Sequence, residues 1–141
     1  LTTLQGEDWT WQIISGELQH HGEPMQGPAN TLTGLFTSRL QMNAGGQVDL
    51  HVPAGRTLLI YVVKGEVNCG DAVLKPFATP VFDRAGGTLA LEAKEDATLL
   101  VCHGEPIDEP VVSYGPFVMN TEEEIRTAFQ EFRSGQYGHV E

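Results

Sequence analysis

From Thr31 to Met42 the chain alternates: Leu32, Phe36, Leu40 and Met42 share one parity, and Thr33, Thr37, Arg39 and Gln41 share the other. A period of two over this length predicts a strand with one buried face. Gln47 to Val52 repeats the pattern, with Val48, Leu50 and Val52 set against Gln47, Asp49 and His51, and "NAGG" at 43–46 supplies the turn between the two. After a second turn, "PAG" at 53–55, the stretch Thr57 to Cys69 reads as strand. Leu58 to Val63 is apolar on both faces, which predicts a central strand, and Gly65 marks a bulge where alternation resumes. Shorter strands are expected at Ala72–Leu74, Thr79–Phe82, Thr88–Ala93 and Ala97–His103, and a first one at Trp9–Leu18. Trp9 and Trp11 share a parity there, so both are expected to bury on one side of an edge strand. Short strands with turn signals about every ten residues indicate an all-β sandwich or barrel.

The pattern changes near the end. The segment "GEPIDEPVVSYGPFVMNTEEEI", Gly104 to Ile125, carries three prolines and a run of large apolar residues, and then turns into a helix start. Thr121 and Glu124 have capping-box spacing, and three glutamates in the first turn suit the positive end of the helix dipole. Ile125, Ala128, Phe129 and Phe132 form one apolar stripe, and Gly135 supplies a stop after Arg133. Pro106, Pro110 and Pro116 each remove a backbone donor, so this ribbon is expected to lie extended across a surface rather than pair in a sheet. It would deliver the helix so that its stripe seals a sheet face or barrel end.

Composition narrows the function classes. A chain of 141 residues is expected to form one domain, burying roughly 70% of its unfolded surface. Nineteen acidic residues against eight basic ones give a net charge of -11, which repels nucleic-acid phosphates and excludes generic DNA or RNA binding. No apolar run approaches the roughly 18 residues of a membrane span, and no charged-then-apolar leader opens the chain. Cys69 and Cys102 are too few for a disulfide framework and are expected to be reduced core residues of a cytoplasmic protein. The first residue is Leu1 rather than Met, so the chain is expected to be a piece of a longer protein.

The proline-rich segment, continued by "AFQEFRSGQYG", resembles the C-terminal domain of the pirin family. Gly104, Glu105, Pro106, Glu109, Pro110, Val111, Val112, Gly115, Pro116, Phe117, Val118, Met119, Asn120 and Thr121 follow the family pattern position by position. A looser similarity runs back through "PAGRTLLIYVVKGEV" to about Thr31, and "WQIISGEL" matches only as an edge strand and linker. The resemblance implies a cupin-type jelly-roll barrel with one C-terminal α-helix. Residues 1–30 would be an edge strand and linker-like segment, 31–103 a degenerate barrel, and 104–141 the ribbon and helix of the same domain. It also implies a bicupin, two barrels in one chain. The family's metal site and quercetin-dioxygenase chemistry belong to the N-terminal barrel, which carries a His-x-His pair, a further His and a Glu. No His-x-His occurs in this sequence, so those ligands carry over to no position.

A metal site in this barrel would need two inward histidines two residues apart on one strand. The corresponding strand reads Val48-Asp49-Leu50-His51-Val52, whose simplest inward parity is apolar, leaving Asp49 and His51 outside. Leu58 and Leu59 stand where the Glu would be, and neither Pro76-Phe77-Ala78 nor Pro80-Val81-Phe82 supplies the second cupin motif. The adjacent His20 and His21 would point to opposite faces of an extended strand and are expected to be solvated. His103 ends a strand and is expected to cap or pack there, while His139 falls in the tail. Glu7, Asp8 and Glu17 read as surface charge, and Trp9 and Trp11 as an aromatic ligand shelf only if exposed. The expected role is therefore structural: no catalytic, cofactor or metal residues in this chain, and packing against an N-terminal cupin domain that holds iron or another divalent metal. The whole protein would be quercetin-dioxygenase-like, or a redox-responsive partner of other proteins. The competing expectation is a stand-alone cupin that binds a small molecule in an apolar pocket.

Overall fold

The computed structural model describes residues 1–20 and 23–138. In chain order its strands are β1 (Thr2–Gln5), β2 (Trp9–Ser15), β3 (Glu17–His20), β4 (Glu23–Gln26), β5 (Phe36–Met42), β6 (Gln47–Val52), β7 (Thr57–Lys64), β8 (Val67–Cys69), β9 (Ala72–Leu74), β10 (Gly87–Ala93), β11 (Ala97–Gly104), β12 (Val112–Tyr114) and β13 (Phe117–Met119). One helix, α1 (Glu122–Arg133), follows. The chain divides into two compact units, Leu1–Pro106 and Ile107–Glu141. Among the described residues no helix is long and apolar enough to cross a membrane.

In the first unit a five-stranded sheet runs in the order β1-β2-β5-β11-β7, and a four-stranded sheet in the order β6-β10-β8-β9. All strand pairs are antiparallel, with β3 and β4 forming a separate hairpin. The alternation explains the burial. Phe36, Ser38, Leu40 and Met42 of β5 are buried, as are Leu58, Ile60 and Val62 of β7 and Ala97, Leu99, Val101 and His103 of β11. Leu50 and Val52 of β6, with Leu91 and Ala93 of β10, complete a core supplied by both sheets.

Several elements depart from the expected pattern. The strand expected from Thr31 begins at Phe36, and Leu32 is fully exposed. The two-faced apolar run of β7 is an edge strand, with Leu59 and Val63 more than 40% exposed. Its free edge is occupied by a loop: Phe77 N–H donates to Val62 O at 2.8 Å, and Val62 N–H donates to Ala78 O at 3.2 Å. Residues 79–82 form no strand and run on as irregular chain past Pro80. Gly65 is a corner rather than a bulge, because β7 and β8 belong to different sheets. Its φ is +82°, and a Cβ there would stand 2.5 Å from Asp96 O, so glycine alone fits. The first thirty residues contribute β1 and β2 to the large sheet, so Trp9 and Trp11 lie on the second strand and β1 is the edge. Cys69 is buried in the core, whereas Cys102 faces the other side of β11 and is only half-buried.

The second unit is built from a hairpin and the helix. Contrary to the expectation of an unpaired ribbon, Val112, Ser113 and Tyr114 pair with Met119, Val118 and Phe117. Pro116 sits in the connecting turn, where its lost donor is not needed, beside Gly115 at φ +57°. The helix N-cap is as expected: Thr121 Oγ1 accepts from Glu124 N–H at 3.2 Å, and Thr121 N–H donates to Glu124 Oε2 at 2.8 Å. Ile125 and Ala128 are buried, Phe129 is half-buried, and Phe132 is 61% exposed rather than sealed in. Phe117 makes edge contacts with both Phe129 and Phe132, at centroid separations of 5.0 and 6.2 Å.

Candidate functional site

The polar chemistry of the first unit gathers at the end of β11. Inward alternation along Ala97, Leu99 and Val101 carries one step further and turns the His103 side chain to the core side. Register places His103 opposite Phe36 on one neighbour and Leu58 on the other. Its imidazole stacks on the Phe36 ring at 4.6 Å and 17°. Arg56, the last residue before β7, reaches the same place. Its Nε donates to His103 Nδ1 at 2.8 Å, and its Nη2 donates to Gly34 O at 2.7 Å and His103 O at 3.3 Å.

This arrangement fixes the histidine's protonation. A guanidinium can only donate, so Nδ1 must accept, and the single imidazole proton resides on Nε2. Burial, and secondarily the adjacent Arg56 charge, lower the His103 pKa from 6.5 to about 4. The ring is therefore neutral at physiological pH. Nε2 has no hydrogen-bond partner among the described residues, and no fully buried side-chain nitrogen there is left unsatisfied. The Nε2–H group consequently meets solvent at a cleft of about 310 Å³, lined in part by Leu18, Gln26, His51, Pro53, Arg56 and His103. The remaining Arg56 nitrogen, Nη1, lies 3.7 Å from the exposed carboxylate of Glu105.

The residues singled out by sequence fall as follows. Asp49 and His51 are exposed while Leu50 and Val52 are buried, as the alternation predicts. His51 stands at the cleft with its Nδ1 3.4 Å from Thr88 Oγ1. His103 packs at the strand end as expected, but its pairing with Arg56 was not foreseen. Trp11 is buried with its Nε1 donating to Ser38 Oγ at 2.9 Å, and Trp9 is half-buried edge-on to it, so the pair forms no exposed shelf. Glu7, Asp8 and Glu17 are exposed, and Glu17 also borders the cleft. The His20 backbone belongs to β3, but its side chain, His21 and His139 lie outside the described residues.

The described residues of β6 do not offer the inward ligand pair of a cupin metal site. The positions that would carry inward ligands on β6 are Leu50 and Val52. Among the described residues no three His, Cys, Asp or Glu side chains converge. A cavity lined by Val52, Leu58, Phe82 and Leu89 together with Arg56, Asp83 and Thr88 has a volume of about 150 Å³. That is below the roughly 300 Å³ at which small-molecule pockets begin.

Residues 37–138 match the Pirin C-terminal cupin domain. A Pseudomonas aeruginosa protein provisionally named quercetin 2,3-dioxygenase is 38% identical over 126 residues, spanning 89% of this chain and 43% of that protein. Pirin of Rattus norvegicus is 36% identical over 135 residues, 92% of this chain and 45% of pirin. The crystal structure of quercetin 2,3-dioxygenase from Acinetobacter baumannii superposes with a TM-score of 0.86 at 33% identity, covering 98% of this chain and 47% of that one. The chain thus spans a little under half the length of the relatives it matches, and its all-β body with one terminal helix is a cupin fold.

Proposed function

The chain belongs to the pirin family, as a C-terminal cupin domain of the kind found in quercetin-dioxygenase-like proteins, and on that premise we propose that its work is structural. It is the metal-free half of a bicupin, packing against an N-terminal cupin domain that holds iron or another divalent metal and carries the dioxygenase-type chemistry. A cytoplasmic setting belongs to the same proposal, supported by the two free cysteines.

One observation carries this reading. On the strand where a cupin places two inward ligands, this chain places Leu50 and Val52, and turns His51 out to solvent. Apolar side chains there cannot be exchanged for water-and-metal coordination without opening the core. Elemental analysis of the purified chain is expected to give far less than one iron, nickel or manganese per molecule, with no consumption of a flavonol such as quercetin. One equivalent of metal that survives His51→Ala and dialysis against a chelator would overturn the proposal. Co-expression with an N-terminal cupin domain should yield a stable complex in which metal and activity follow the added half.

A further inference from the structure

We infer that the outer face of the five-stranded sheet, around Leu59, Tyr61, Val63, Leu100 and Cys102, is the surface that seats the N-terminal cupin domain, and that this domain meets it with an apolar face and a carboxylate opposite Arg39. The assignment rests on the structural role proposed above and adds the place at which that role is exercised. Every residue named lies in the first unit.

Three observations converge. The first is contiguity. Ile60, Val62, Leu99 and Val101 are buried, so the alternate residues of β7 and β11 point outward. Register sets Tyr61 opposite Leu100 and Leu59 opposite Cys102, and same-face neighbours on paired strands stand about 5 Å apart. Leu59 and Val63 are more than 40% exposed and Leu100 is 38% exposed, while Tyr61 and Cys102 are half-buried. Beside Val62, the loop that covers the β7 edge holds a further exposed ring, Phe77. Scattered apolar residues on a surface are ordinary, but joined ones mark a contact. The second is charge. The chain has nineteen acidic residues, yet β1, β2, β5, β7 and β11 contain none. The outer face of the four-stranded sheet, by contrast, shows Asp49 and Glu92 to solvent. Depletion of carboxylates from one face of so acidic a chain suits a surface that another protein covers.

The third is Arg39, on the middle strand of this face. It is exposed, lies between Leu100 and Gln12 in register, and makes no hydrogen bond or ion pair among the described residues. A second copy of the same face would bring it no carboxylate, because the five strands have none, and covering a cation without a partner costs free energy. The occupant is therefore a different surface, one that can supply the carboxylate. The relatives contain such a candidate: this chain spans less than half of their length, and its match is to a C-terminal cupin domain. A regular sheet face suits another sheet, packed face to face.

The N-terminal portion of the Pseudomonas aeruginosa relative, produced together with this chain as a separate polypeptide, is the probe. Cys102 lies within the face and Cys69 in the core, so thiol labelling reads coverage directly. In the isolated chain Cys102 should react faster than Cys69, and in the complex its rate should fall towards that of Cys69. Leu100→Glu should weaken the complex by about tenfold or more, the effect of burying a carboxylate without a partner. Ala90→Glu, on the outer face of the other sheet, should leave it unchanged. Arg39→Gln should weaken it less and flatten its dependence on salt. Arg39 is exposed, so its variant tests the face even where Leu100→Glu fails to fold. If the complex forms while both variants bind as the native chain does and Cys102 still reacts, the structural role stands and this face is not its seat. If no complex forms, both are overturned. A dimer of the native chain that Leu100→Glu dissociates would make a second copy the occupant and overturn the assignment to the N-terminal domain.

Discussion

Ser38 and His103 are polar residues on the inward parity of their strands, and each is tolerated for a nameable reason. Ser38 is fully buried because its hydroxyl accepts from Trp11 Nε1 and donates to Val101 O at 3.0 Å. Ser38→Ala should leave the Trp11 indole N–H without its acceptor and cost about 1–3 kcal/mol in a denaturant titration. Adding Trp11→Phe should restore only part of that loss, since the smaller ring leaves a void. His103 makes a different, pH-dependent contribution. The unfolded chain takes up this proton below about pH 6.5, the folded chain only near 4. Its stabilisation is therefore complete above 6.5, declines as pH falls between the two values and is gone below the lower one. The thermal midpoint of the native chain should drop across that window, and the drop should be shallower in His103→Gln. An identical acid limb in the variant would assign the loss to carboxylates instead. Neither residue's role was legible in the sequence. Parity places the side chain, but the partners lie 27, 63 and 47 residues away, a distance that no local pattern encodes.

At the scale of elements, features set within a few residues were legible. The capping box of α1 and the strand of Gln47–Val52 fall where the sequence places them, because cap spacing and turn chemistry act over four or five positions. Thr121→Ala should cost about 1 kcal/mol of helix stability, measured by amide exchange in the first turn. Features set by neighbouring strands were not legible. Leu58 to Val63 is apolar on both faces, yet β7 is an edge strand whose outer residues stay partly exposed. The hairpin of residues 112–119 was missed because only the two prolines outside it needed to be unpaired, and the third occupies its turn. Gly65 looked like a local irregularity and is a corner between sheets. Gly65→Ala should destabilise by roughly 1–3 kcal/mol through its backbone conformation alone. A larger loss is expected from the contact with Asp96 O. A stability equal to the native chain's would show that the corner rearranges.

On the scale of the molecule, every residue of the continuous core cluster lies between Leu4 and Val101. A fragment ending at Pro106 should therefore unfold cooperatively, as followed by circular dichroism and tryptophan fluorescence. The remaining segment, too short to bury a core, should lose its helix when severed. A broad, non-cooperative melt of the longer fragment would show that the core is incomplete without the C-terminal unit. The loop that occupies the middle of β7 has a further consequence. Its two backbone hydrogen bonds fill the donor and acceptor of Val62 that a foreign strand would otherwise use, and Pro76 and Pro80 stiffen the chain that makes them. This loop therefore governs colloidal behaviour more than folding. Where it is cleaved or loosened by mild heat, the core persists but a strand template opens, and particles should grow from intact-looking monomers before any loss of ellipticity.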